Sequence, residues 1–226
     1  MKQLNWKFLL VEVLFLVGGL FLAMKVDEWS TNRRLNKRRA IALKNIRLEI
    51  ERNKEDLETQ GDNEEYYEIV VAIAPYLEIE DDQKDIYVEA SQTEVQSLRD
   101  SFPEGLSFPD SSRATGGRYQ YDVEIDVGGF NYVQLGDIAW EATKIGNLID
   151  RIEFECVEDL LALYKMQERF LEHQERYIET LIEEDFTKMF NQFMVLHEFG
   201  NVLKETYEET LDSYEKCSGK RFADES

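Results

Sequence analysis

Proline is scarce in this chain: Pro75, Pro103 and Pro109 are the only three among 226 residues. Proline breaks helices by removing an N–H and by clashing with the preceding turn, so the long stretches without it are free to be helical. Histidine and cysteine are scarcer, with two of each. Cys156 and Cys217 are too few and too far apart for a disulfide framework or a thiolate metal cluster. They are able to pair, but the spacing does not demand it, and Cys156 falls in a helical pattern where a buried thiol is ordinary. His173 and His197 have Phe170 and Met194 three residues earlier, which removes the Glu-x-x-His ligand pair of di-iron bundles. H-E-x-x-H and C-x-x-C are absent as well, and with them the usual zinc patterns. No glycine-rich phosphate loop of the Walker or dinucleotide type occurs. A Ser/His/Asp or Cys/His constellation assembles only in space, and two histidines in acidic helices offer little to build one from. No catalytic residue, cofactor or metal is therefore expected.

Positive charge is missing from most of the chain. The net charge is −21, but residues 1–55 hold 12 Lys/Arg against 6 Asp/Glu, a balance of +6, while residues 56–226 hold 14 against 41, a balance of −27. Such a body repels phosphate backbones, which argues against nucleic acid as a partner. Hydrophobic residues make up 43% of the chain, ordinary for a globular protein with a core.

One long apolar run is present. Phe8 to Met24 reads FLLVEVLFLVGGLFLAM, interrupted only by Glu12, and with Leu4–Lys7 and Lys25–Val26 it reaches the length of a tilted transmembrane helix. Trp6 and Trp29 flank it, roughly 35 Å apart along a helix, near the spacing of the two interfaces where Trp prefers to sit. A cleaved signal peptide is the rival reading, but the small-x-small cleavage pattern is lacking: Phe21 and Ala23 precede Met24. The C-terminal flank carries Lys25 and then Arg33, Arg34, Lys37, Arg38, Arg39 and Lys44, against Lys2, Lys7 and the terminal amine on the other side. Positive charge stays inside, so the flanks favour a cytoplasmic soluble domain at a bacterial inner (plasma) membrane, the alternative being periplasmic. Within the run, Glu12, Leu16, Gly19 and Ala23 share a stripe, and the small-xxx-small pair Gly19/Ala23 admits close approach of another helix. Glu12 is then expected at a helix–helix contact in a homo-oligomer or with another membrane protein; the plainer alternative is that it snorkels to the headgroups.

After the anchor, Leu43, Ile46, Ile50, Asn53 and Leu57 step by 3, 4, 3 and 4, a heptad seam with Asn at one core position. It lasts about two heptads, short for a coiled coil, so an amphipathic helix joining an intramolecular bundle is favoured over a dimeric stalk. Gln60-Gly61-Asp62-Asn63 ends that helix. Residues 64–79 read as a helix that Pro75 kinks or ends, and residues 85–100 as a shorter helix. Residues 101–130 are the least regular; there Tyr119, Tyr121, Val123, Ile125 and Val127 alternate with polar residues, which suggests a half-buried strand in a small hairpin. Helical spacing returns from about 131, through Trp140–Ile149, then a long helix with Val157 to Leu181, then a last one with Val202 to Leu211. The expected fold is thus mainly α: an anchor over residues 1–29, an antiparallel helical bundle over 30–217 with an irregular or β insertion near 101–130, and a flexible tail over 218–226.

Two acidic groups invite a cation. Asp122, Glu124 and Asp126 resemble the start of a calcium loop, but Val127 and Val133 stand where its glycine and acidic twelfth residue belong. Glu80, Asp81, Asp82 and Asp85 read as a polar turn. Tyr66, Tyr67, Tyr76, Tyr119, Tyr121 and Tyr132 are numerous enough to line a pocket, although packing is the commoner use of such residues.

Two segments resemble a widespread, poorly characterised bacterial family of single-pass membrane proteins. The first is the Glu-containing apolar helix running through Leu22-Ala23 into Asp27-Glu28-Trp29 and the basic stretch. The second is Ala139-Trp140-Glu141-Ala142-Thr143 through Gly146, Asn147 and Leu148, followed by the helix with Leu161 and Tyr164. The resemblance covers residues 8–170 and implies an anchor plus a helical extramembrane domain; it brings no activity with it. The expectation is a non-catalytic membrane-anchored interaction protein, a self-associating scaffold or an accessory subunit of a larger membrane complex. The alternative is a ligand-sensing bundle that signals through the anchor, with a pocket near Tyr119 to Trp140. An enzyme is the remaining reading.

Overall fold

A single helix, α1 (Trp6–Gln60, 55 residues), sets the length of the molecule, roughly 80 Å at 1.5 Å per residue. No proline interrupts it, and Gly18 and Gly19 are its only glycines. The computed structural model describes residues 6–60, 64–78, 87–113, 115–125, 132–183 and 186–217, with side chains from Glu12 onward except at 60, 78, 113, 115, 186, 187 and 215–217. Among the described residues no helix is long and apolar enough to cross a membrane. The side chains of Trp6 and of Phe8 to Val11, on which the expected span depends, lie outside them.

Further along α1 the predicted seam is buried in full: Leu43, Ile46, Ile50, Asn53 and Leu57 are 0–3% exposed. Their partners belong to the same chain. Helices α5 (Phe154–Glu183) and α6 (Phe186–Cys217) form an antiparallel hairpin, with Tyr177 beside Phe193, His173 beside Phe199, and Ser213 donating to Asp159. The seam of α1 lies against this hairpin, sharing a core with Leu160, Leu163, Phe170, Phe193, Leu196, Leu203 and Tyr207. Lys54 reaches Glu208 at 2.8 Å across the α1–α6 contact. This is the intramolecular bundle expected from the short seam.

Helix α2 (Glu64–Ile73) ends where Pro75 opens a 3₁₀ turn, Ala74–Tyr76. It straddles two cores, with Val70 in the bundle and Ile69 and Ile73 in a second cluster. That cluster belongs to an insertion more regular than its sequence suggested. Strands β1 (Leu77–Glu78), β2 (Tyr87–Ala90), β4 (Ser111–Arg113) and β5 (Tyr119–Asp122) form an antiparallel sheet in the order β1-β2-β5-β4, and β3 (Leu106–Ser107) pairs with β6 (Glu124–Ile125). The alternation in residues 119–125 is thus strand, with Tyr121 opposite Val88 and Ser111. The helix expected over 85–100 is corrected. Tyr87–Ala90 is strand, because Val88 and Ala90 point into the second core at 0% exposure, and α3 (Gln92–Ser101) begins only after Ser91. Ser91 and Glu94 form a reciprocal capping box that satisfies two orphan donors at the helix start. Gln60-Gly61-Asp62-Asn63, Glu80 to Asp85, and the tail from Ser218 lie outside the described residues except for Gln60, the last residue of α1.

From Tyr132 the chain returns to the bundle as an extended segment and then the short helix α4 (Ile138–Ile145), antiparallel to α1. Asn147 closes α4 with φ +50, a left-handed position that Asn tolerates better than most residues. A 3₁₀ turn, Ile149–Arg151, leads into α5, and Arg39 donates to the Arg151 carbonyl at 2.9 Å. At this end Leu43, Ile152, Cys156 and Tyr214 form a small third core, and Cys156 is disulfide-bonded. Cys217 is the only other cysteine in the chain.

Candidate functional site

The polar groups of the described residues converge in one place, where residues 133–140 cross α1, α5 and α6. Most of the contacts are made by side chains reaching backbone groups that have no partner in regular secondary structure. Gln174 on α5 accepts from Val133 N (3.0 Å) and donates to Val133 O (3.1 Å). Asn53 on α1 does the same for Gly136, accepting from its N–H at 2.8 Å and donating to its carbonyl at 2.7 Å. Gln167, one heptad before Gln174, donates to the same carbonyl at 3.1 Å. Its Oε1 accepts from Asn53 (3.1 Å) and from the Tyr207 hydroxyl on α6 (2.8 Å). A Cβ added at Gly136 would make only ordinary contact with Asn53 Oδ1, at 3.7 Å, so the approach of Asn53 does not itself demand glycine.

Glu49 completes the junction. The residue before α4, Asp137, makes no side-chain cap; instead Glu49 Oε2 accepts from Ala139 N at 2.7 Å and Oε1 from Trp140 N at 3.4 Å. A carboxylate from another helix thus satisfies the free N–H groups at the start of α4, where the helix dipole also favours negative charge. Tyr164 donates to Glu49 Oε1 at 2.6 Å, and its ring stacks on Trp140 with centroids 5.4 Å apart.

Burial, and secondarily the adjacent Glu49 carboxylate, push the Tyr164 phenol far above its ordinary value; burial does the same at Tyr207. Both phenols stay neutral donors across the physiological range and are unsuited to accept a proton. Asn53, Gln167 and Gln174 are 0–3% exposed and all are partnered. Buried amides whose hydrogen bonds are made fix a segment in place. The arrangement is a latch that holds 133–140 to three helices.

Two grooves flank the latched segment. One, of about 870 Å³, runs between α4 and α5 over Leu135, Trp140, Lys144, Leu161, Tyr164 and Lys165, with Glu168 and Glu172 on its rim. The other, of about 610 Å³, lies between α1 and α4 over Asn45, Leu48, Arg52, Ile138 and Ala142.

The residues singled out from sequence lie elsewhere. Glu12, Leu16, Gly19 and Ala23 are all exposed, and a Cβ on Gly19 would meet nothing within 4 Å, so their stripe has no partner within the described chain. Trp29 is exposed with the Arg33 guanidinium 5.6 Å from its ring centroid. Arg33, Arg34, Lys37 and Arg38 are exposed, and Arg39 is half-buried against the 3₁₀ turn before α5 through the Arg151 carbonyl. The tyrosines do not gather into a pocket. Tyr66 and Tyr67 pack on Phe193 and His197 of α6, Tyr119 and Tyr121 belong to the sheet, and Tyr132 is exposed. Among the described residues no group of three His, Cys, Asp or Glu side chains is placed to hold a metal; Asp126 lies outside them.

Sequence reasoning found Asn53 but missed Glu49, Gln167 and Gln174. A signal was present: Gln167 and Gln174 fall on the apolar stripe of α5 with Leu160, Leu163, Phe170 and Tyr177. The second resembling segment, Ala139 to Leu148, is the latched helix itself, where Trp140 is 2% exposed, Thr143 back-bonds to Ala139 at 2.8 Å, and Leu148 is buried. The chain matches no protein-family model, no curated protein and no solved structure.

Proposed function

We propose that this chain is a non-catalytic, membrane-anchored interaction protein, a scaffold or accessory subunit whose acidic domain is carried on the continuation of its own membrane helix. The observation that carries this reading is the exposure of the first part of α1. Phe15, Leu16, Leu20, Phe21, Leu22 and Met24 are 63–79% exposed on the helix whose later turns build the core. An apolar surface of that extent needs lipid or protein over it, and Leu4–Val26 has the length to supply a span. The polar junction supports a structural rather than a catalytic role, because its donors and acceptors satisfy one another.

Flanking charge and the cysteines favour opposite sides of the membrane. The basic run favours the cytoplasm, whereas a disulfide at Cys156 persists in oxidising compartments and is rare in the cytosol. We favour an outward-facing domain, because a disulfide at Cys156 fits an oxidising compartment, against the statistical bias of the flanking charge. The groove over Trp140 and Tyr164 favours ligand sensing as the second reading; its volume is within the range of small-molecule sites.

Membrane fractionation of the full-length protein tests the anchor. Retention in the pellet after an alkaline carbonate wash is expected, and release by that wash overturns the reading. Solution mass in mild detergent, with identification of stoichiometric companions, then separates accessory subunit from self-associating scaffold. Trapping free thiols in intact cells with an impermeant maleimide, with and without prior reduction, reads the side: labelling only after reduction is the outward result. Labelling that requires permeabilisation returns the domain to the cytoplasm.

A further inference from the structure

Beyond the latch, α1 and α4 share an apolar surface that nothing in the described chain covers. Ile41 and Leu48 on α1 are 52% and 50% exposed, and Ile138 and Ile145 on α4 are 78% and 80% exposed, with exposed Ala142 between them. On each helix these residues recur at i, i+4 or i+7, so they form two adjacent stripes facing the same way. Leu48, Ile138 and Ala142 line one groove. The latch fixes this geometry, because Glu49 and Asn53 hold the start of α4 against α1 from the inner side.

The phase of this surface matches the anchor. Glu12 and Leu48 are 36 positions apart on one uninterrupted helix, about ten turns at 3.6 residues each. Leu16, Gly19 and Ala23 lie within roughly 40° of the same line, as do Arg34, Lys37 and Ile41. The stripe in the apolar run and the stripe on the domain are thus two parts of one side of α1.

We infer that this side of α1, extended by α4, docks one helix of a second, different membrane protein, whose apolar span is followed by acidic residues and then by an apolar face. The inference rests on the reading that Leu4 to Val26 spans the membrane. Lipid does not reach the outer part of the face: Leu48 is 22 residues beyond Val26, roughly 33 Å along the helix. A second copy of this chain fits poorly. Both copies would enter the membrane in the same direction, and a twofold contact sets each residue against its own counterpart. Arg34, Lys37 and Arg52 would then face Arg34, Lys37 and Arg52, and Glu12 would face Glu12. Like charges set opposite one another across an interface oppose association. None of these three cations has an ion pair among the described residues, which leaves them available to carboxylates on a partner.

The test places a photoreactive benzoylphenylalanine at position 16, 48 or 142 of the full-length protein, expressed at native level, with the exposed position 209 on α6 as control. The expected result is that positions 16, 48 and 142 all crosslink to one polypeptide, and that position 209 does not. Peptide mapping should put the adducts on a span and on the segment after it, with Asp or Glu between the two sites. Arg34→Glu with Lys37→Glu should lower the yield at position 48 about tenfold, equivalent to about 1.4 kcal/mol. Adducts holding only this chain, different polypeptides at 16 and 48, a partner without acidic residues beside its span, or no adduct at all would each overturn the inference. Release of the protein by carbonate would remove the anchor reading itself; a membrane-retained protein without these adducts removes only the docking face.

Discussion

Val133 is fully buried, and both of its backbone polar groups are satisfied by one side chain, Gln174, at 3.0 and 3.1 Å. The glutamine amide presents the donor and acceptor that a neighbouring strand would have offered. Leucine fills a similar volume without either group, so Gln174→Leu leaves an N–H and a C=O buried and unpaired. Each orphan costs about 1–3 kcal/mol, so the variant should lose roughly 2–6 kcal/mol in urea denaturation. Gln167→Leu should cost less at the backbone, because the Gly136 carbonyl keeps Asn53, but it also strips the Tyr207 hydroxyl of its acceptor. Glu172→Gln, an exposed change on the same helix, should stay within about 0.5 kcal/mol of the parent. Equal stability for all three variants would mean that the junction contributes nothing.

Among the elements, α4 depends most on its neighbours. It has eight residues and no cap from its own Asp137, and helices this short are marginal alone. Glu49 replaces the missing cap from across the α1 contact. Glu49→Ala should therefore destabilise by about 1–2 kcal/mol, in the range of lost N-caps, with the loss concentrated at α4. Amide exchange of Ala139 and Trp140 should accelerate while that of Leu163 tracks only the global change. In α3 the corresponding device is local, and Ser91→Ala should cost about 1 kcal/mol, measured the same way. These two helices show what was legible in the sequence. The 3-4 spacing of Leu43, Ile46, Ile50, Asn53 and Leu57 was read because its physics lies within two or three turns, whereas the equally local Ser91–Glu94 box was passed over and the helix was expected from residue 85. Strand β2 was not readable, since four residues reveal little of their state until Tyr121, 33 positions later, pairs with Val88. The latch was half readable. Asn53 interrupts an apolar seam and so declares itself, whereas Glu49 and the two glutamines belong to polar-rich helices where such residues are ordinarily solvated.

At the scale of the whole molecule, tyrosines link the separate layers. Tyr164 and Tyr207 belong to the latch, Tyr66 and Tyr177 to the α2–α5–α6 contact, and Tyr214 to the small core beside Leu43. Burial is the leading cause that raises all five phenols from the ordinary value of 10.0, with Tyr214 reaching about 12 and Tyr164, Tyr177 and Tyr207 higher still. In the fold they keep protons that the unfolded chain releases above pH 10. The unfolded state then binds fewer protons, so the stability these groups contribute is complete below pH 10 and is lost as pH rises above it. Each phenol held neutral costs roughly 1.4 kcal/mol per pH unit beyond that point, and three or more acting together exceed the stability of an ordinary domain within a few units. Urea midpoints should therefore show no tyrosine-linked fall up to about pH 9 and a steep one between pH 10 and 12. Phenolate absorbance should rise in step with loss of helical signal. A smooth titration of all 11 tyrosines with the helices intact would show that these rings meet water in the folded state, and that the three layers are not closed over them.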